Sequence, residues 1–99
     1  MEFDWDNGNI NHIALHDVTP QEAEQVVQDA PLEIGKVDRS GELRIVHIGE
    51  TNAGRILLVA ITYRADLVRV VTAYPASRKF RKLYYEQKAT TNDTDPEDT

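Results

Sequence analysis

Apolar and polar positions follow one period before Pro31 and another after it. Upstream, Ile10, Ile13 and Ala14 recur at helical spacing, and Asp6 can cap a short helix over roughly residues 9–16. Thr19-Pro20-Gln21-Glu22 is a stronger start, with Thr at the N-cap, Pro at the first helical position and Glu placed for a capping box. Ala23, Val26 and Val27 continue that helix until Pro31 stops it. Beyond Pro31 the pattern is that of strands. Residues 32–37 lead into the turn formers Asp38-Arg39-Ser40-Gly41, and residues 42–50 form the next strand, ending at Thr51-Asn52-Ala53-Gly54. Residues 55–64 are apolar on both faces, which suits the middle of a sheet. Ala65-Asp66 is a tight connection into a fourth strand over 67–74. Connections this short predict an antiparallel meander.

Tyr74-Pro75-Ala76 closes the sheet, and Ser77 caps a final helix running to about Gln87. Phe80, Leu83 and Tyr84 share one face of it, while Arg78, Arg81 and Lys82 project elsewhere. From Ala89 the chain is Thr, Asn, Asp, Pro and Glu, read as a disordered acidic tail over 89–99. The expected architecture is α+β: two short N-terminal helices, a four-stranded antiparallel sheet and a C-terminal helix packed on it, in one domain over 1–88.

Charge changes this picture more than composition does. The 99 residues carry 11 Lys+Arg and 17 Asp+Glu, for a formal net charge of -6. An acidic total argues against a nucleic-acid partner only if the charge is evenly spread. Here residues 1–34 hold 8 acidic side chains and no Lys or Arg, whereas residues 35–88 hold all 11 basic ones. A basic sheet and helix are enclosed by acidic ends. Without cysteine there is no disulfide framework, thiolate metal site or cysteine nucleophile. The start lacks the marks of a signal peptide and the longest apolar run, 56–61, is too short to cross a membrane, so a cytoplasmic protein is expected.

Arg69, Arg78, Lys79, Arg81 and Lys82 interleave with Tyr74, Phe80, Tyr84 and Tyr85, a combination that binds phosphates and stacks unpaired bases. The competing reading is a solvated helix that docks on the sheet through Phe80, Leu83 and Tyr84. His47, in phase with Leu43 and Ile45, is either a core histidine or an acid/base on the sheet face. His12 and His16 are spaced i, i+4, but no third metal ligand accompanies them. Glycine-rich phosphate loops and nucleophilic serines are missing from the pattern. What remains is cofactor-free cleavage of RNA by its own 2′-hydroxyl, which needs proton transfer and stabilisation of phosphate charge.

Phe3-Asp4-Trp5-Asp6, His16-Asp17-Val18-Thr19 and Glu22-Ala23 resemble the opening of BrnT-like toxins. Gly49 to Arg55 with the strand ending Thr62-Tyr63-Arg64, then Arg69 to Ala73 and Ser77 to Tyr84, resemble their later segments in the same order. The resemblance implies a RelE-like fold and a metal-independent endoribonuclease that inhibits translation, without cofactor. It also implies a small antitoxin as partner and RNA as substrate, in a hetero-oligomer or homo-oligomer. Carried over by position, the resemblance gives a basic set of Arg55, Arg64, Arg69, Arg78 and Arg81, supported by Tyr84. The expected catalytic residues are Arg64, Arg69 and Arg81, with His47 or Tyr74 transferring the proton, while Arg55, Arg78, Lys79, Lys82 and Tyr84 contact RNA. The chain departs from the family pattern in three places: Tyr74 replaces an Arg, Phe80 replaces a Glu, and Leu15-His16-Asp17 replaces Lys-His-Gly. The alternative implied by those departures is a catalytically silent member that binds a partner or nucleic acid.

Overall fold

A computed structural model describes residues 1–93, with side chains through Ala89. The order is α1 (Asn7–Ala14), α2 (Pro20–Gln28), β1 (Leu32–Arg39), β2 (Glu42–Glu50), β3 (Ile56–Arg64), β4 (Leu67–Pro75) and α3 (Arg78–Asp93). The four strands form one antiparallel sheet in the order β1-β2-β3-β4, the meander expected from the short connections. The fold is α+β.

Both N-terminal helices begin on reciprocal caps. Asp6 accepts from the Asn9 backbone while the Asn9 side chain accepts from the Asp6 amide, and Thr19 with Glu22 does the same for α2. The direct cap by Asp6 starts α1 two positions earlier than its apolar spacing suggested. After Ala14 the chain closes in a Schellman turn, with Val18 N–H donating to Ile13 and Asp17 N–H to Ala14. Asp17 sits at φ +60°, the left-handed region that favours glycine and that Asp tolerates better than most residues. Ile13 and Val18 are both core residues, the apolar contact that accompanies this turn.

Two connections share one end of the sheet. Ser40 and Gly41 (φ +56° and +85°) join β1 to β2, and Ala65 and Asp66 (φ +51° and +67°) join β3 to β4. Positive φ at both central residues matches the right-handed strand twist, so these two-residue loops pin Arg39 opposite Glu42 and Arg64 opposite Leu67. Bulges shift the register between Glu33 and Gly35 and between Ala60 and Ile61.

The sheet is buried on both faces at its centre. On one face α1 and α2 cover Leu57, Val59, Ile61, Val68, Val70 and Ala73. On the other, α3 brings Phe80, Leu83 and Tyr84 over Ile48 and Ile56. Ser77 accepts from the Phe80 amide, as expected of a cap, but α3 continues to Asp93 rather than stopping near Gln87. Residues 89–93 are therefore helical, contrary to the expected tail. Lys88 helps extend the helix by donating to the Tyr84 hydroxyl one turn back and lying over its ring. The remainder of that tail, 94–99, falls outside the described residues.

Gly49 marks the tightest approach of α2 to the sheet. A Cβ there would lie 2.8 Å from Val26 Cγ1 and 3.3 Å from the Val26 carbonyl. Gly49→Ala should lower unfolding free energy in urea by about 1–3 kcal/mol, because backbone as well as side chain obstructs the methyl. An unchanged midpoint would mean that α2 does not pack this closely.

Candidate nucleic-acid interface

Three helices cannot cover both faces of four strands, and the uncovered part lies on the α3 face, at the end with the two tight turns. Strand alternation and the registers place Arg39, Glu42, Arg44, Thr62, Arg64, Arg69 and Thr72 on that face. They line an open cavity of about 670 Å³, joined by His12 and the start of α1 from beside β4. Arg44 Nε donates to Glu42 Oε1 at 3.2 Å, and Arg64 Nη2 is 3.7 Å from Glu42 Oε2. One carboxylate thus faces two guanidinium groups, with Arg39 opposite Glu42 in register. Ion pairs this exposed contribute little to stability, so the cluster leaves its arginines open to another anion.

Arg69 is bound differently. Its guanidinium is 3.0 Å from Asp6 Oδ2 and 3.4 Å from Asp4 Oδ2, with its side chain only 14% exposed. The hydrogen bond from Arg69 holds the Asp6 carboxyl below the usual carboxylate range, and Asp6 in turn raises the Arg69 guanidinium. Farther along β4, His12 Nε2 lies 3.2 Å from Thr72 Oγ1. The His16 ring stands 5.9 Å from the His12 ring and 5.6 Å from that of Tyr74. Imidazole, hydroxyl and phenol groups therefore run in a row along the edge of the arginine-lined cavity.

Other anticipated residues lie elsewhere. His47 is on the opposite face, beside the core under α1 and α2, directly across from Val59 and Glu33. Its Nδ1 is buried without a hydrogen-bond partner, and burial depresses its basicity against the opposing pull of Glu33. Arg55 ties the β2–β3 loop to α2, donating to Glu22 Oε2 at 2.7 Å and to the Asp17 carbonyl at 2.9 Å. Burial raises the Glu22 carboxyl, but Arg55 and Thr19 outweigh it and leave it lowered. Tyr84 is 6% exposed in the α3 core. Arg81 donates to the Ala76 carbonyl, while Arg78, Lys79 and Lys82 are exposed along α3. The structure thus gathers Arg64, Arg69 and Tyr74 near the cavity and leaves His47, Arg55 and Tyr84 apart. Arg39, Glu42, Arg44 and His12 are cavity residues that the sequence reading did not select. Strand alternation from the two-residue turn at Ser40-Gly41 carries the signal for the first three.

A profile described as the ribonuclease toxin, BrnT, of type II toxin–antitoxin systems matches residues 5–79 of the 99. The chain belongs to the BrnT toxin family. No curated protein matches it. The BrnT match spans α1, α2, all four strands and the first two residues of α3, so the cavity and the row of rings beside it lie within the shared region. Membership in a toxin–antitoxin family implies an antitoxin partner. Among the described residues, no helix is long and apolar enough to cross a membrane, and no three His, Asp or Glu side chains are grouped to hold a metal ion.

His47 should reveal itself through stability. Its lowered folded-state affinity means that the unfolded chain binds more protons, so stability is lost as pH falls from 7 through the ordinary histidine range towards 5. Asp6 and Glu22, both held low, lose their contribution only at more acidic pH. Urea unfolding of His47→Leu should show a flatter dependence between pH 7 and 5. Equal slopes in both proteins would contradict a half-buried imidazole whose charged form is disfavoured by burial.

Proposed function

We propose that this BrnT-family protein is a metal-independent endoribonuclease that inhibits translation, with its RNA site in the arginine-lined cavity on the α3 face. The observation that carries this reading is the meeting of Arg39, Arg44 and Arg64 with His12 in one open cavity. Guanidinium groups suit both a bound phosphodiester and the extra charge of its transition state. In the reaction, the RNA 2′-oxygen bonds to the adjacent phosphorus as the bond to the 5′-oxygen breaks, leaving a cyclic phosphate and a free 5′-hydroxyl. His12 takes the 2′-hydroxyl proton, with Thr72 orienting its ring, and Tyr74 supplies a proton to the departing oxygen. His16 and Tyr74 offer ring faces to a neighbouring base. His47, on the far side of the sheet, has no part in this chemistry.

The exposed Arg78, Lys79 and Lys82 of α3 extend the basic surface on the same side of the sheet and guide the RNA strand. In the toxin–antitoxin pair, the antitoxin silences the protein by covering this surface in the cytoplasm. A second reading, a silent member that retains binding alone, draws support from Phe80. This residue packs into the α3 core where the family pattern has Glu, so no carboxylate approaches from that position.

Expression of the chain alone in a bacterial host should arrest growth and degrade bulk RNA. The Arg44→Ala, Arg64→Ala double variant and His12→Ala should each restore growth, with folding verified by circular dichroism. Normal growth with intact RNA would overturn the nuclease reading; RNA binding retained without cleavage would support the silent one. Glu42→Gln frees two guanidinium groups and should tighten single-stranded RNA binding severalfold at low salt, whereas Glu33→Gln, on the opposite face, should not.

A further inference from the structure

Arg69 lines the cavity with the other arginines, yet its surroundings differ from theirs. Two carboxylates from the N-terminal segment hold it: Asp6 through both oxygens, 3.0 Å to Nη1 and 3.2 Å to Nη2, and Asp4 at 3.4 Å to Nη1. Its charge is already matched, and a phosphate would have to displace two carboxylates to reach it. Arg44 and Arg64 share one exposed carboxylate by comparison.

The same carboxylates lead to α1. Asp6 is the N-cap, accepting from the Asn9 amide at 3.2 Å. Asn9, only 4% exposed, donates from Nδ2 to the Asp4 carbonyl at 3.0 Å and to the Val70 carbonyl at 3.1 Å. Asp4 is itself paired to β4 through a backbone bond to Val68. Arg69, Asp4, Asp6 and Asn9 therefore form one polar clamp between β4 and the first turn of α1. His12 follows Asn9 by three positions on that helix and reaches Thr72 on β4, three residues beyond Arg69. A change in the seating of α1 is passed directly to the His12 ring.

We propose that Arg69 is a positioning residue: through Asp6 and Asp4 it seats α1 so that His12 meets Thr72 in the cavity, and it does not bind phosphate. The proposal rests on the cavity being the RNA site, but its physical core is the coupling of Arg69 to His12, which needs no RNA. Asp6→Asn isolates the charge, because Asn remains a good N-cap while the doubly held ion pair is lost. Arg69→Lys keeps the charge without the two-pronged geometry.

The test combines histidine ring resonances by NMR with binding and turnover of the full-length protein. The binding probe is a single-stranded RNA with 2′-O-methyl groups, which cannot be cut by its own hydroxyl. In Asp6→Asn, Arg69→Lys and Arg69→Ala, the His12 ring resonances should shift while those of His47 stay in place. Affinity for the methylated RNA should change less than about twofold in Arg69→Ala, against a loss of about tenfold or more in Arg64→Ala. For cleavable RNA, kcat should fall with KM little changed. A loss of affinity in Arg69→Ala equal to that in Arg64→Ala would overturn the proposal, as would His12 signals that do not move. If the wild-type protein neither binds nor cuts RNA, the proposed function fails, and the His12 resonances alone still decide whether the clamp positions that ring.

Discussion

Burial of β3 on both faces is the constraint from which the rest of this structure follows. Ile56 through Thr62 is buried along the whole run, so the strand is stable only with cover above and below the sheet. The described residues include three helices for that purpose, and two of them lie on one face. The third seals its own face only where Phe80, Leu83 and Tyr84 reach Ile48 and Ile56. The far end of that face stays open, and there the strands carry Arg39, Arg44, Thr62 and Arg64 instead of apolar side chains. Incomplete cover and a basic cavity are two aspects of one arrangement.

Electrostatics divide the molecule along the same line. The acidic N-terminal segment does more than balance charge: Asp4 and Asp6 are consumed by Arg69, and Glu22 by Arg55. These pairs join helices to sheet, so the arginines involved serve the scaffold. Arg44 and Arg64 share the exposed Glu42 carboxylate, and among the described residues Arg39 has no ion pair, so the charge of these three is less fully matched. A net charge of -6 therefore coexists with an arginine-lined cavity on one face of the sheet.

The elements themselves were largely legible in the sequence. Thr19-Pro20-Gln21-Glu22, Ser40-Gly41 and Ala65-Asp66 act locally, through caps and tight turns, and local chemistry needs no knowledge of the rest of the chain. The end of α3 was not legible, because the Lys88–Tyr84 interactions favour helix where Ala89 and the polar residues after it suggest coil. Site residues were harder. His47 shares its phase with Leu43 and Ile45, but which face carries the helices is decided by α1 and α2, far away in sequence. Arg39 and Arg44 sit in ordinary strand positions, and only the register set by the turn brings them beside Arg64. His12 enters from another element altogether, through the clamp between α1 and β4. The family profile, which covers residues 5–79, supplies a functional class that no single motif in the chain specifies.

The proposed function places RNA at the open end of the α3 face. The most direct measurement is an NMR titration of the protein with a 2′-O-methyl single-stranded RNA, followed on backbone amides and arginine side chains. Saturable shifts are expected at Arg39, Arg44, Arg64, Thr72 and His12, weakening steeply with added salt, with little change at His47 or Arg55. Shifts confined to the face covered by α1 and α2, or none at RNA concentrations that saturate other basic proteins, would contradict it.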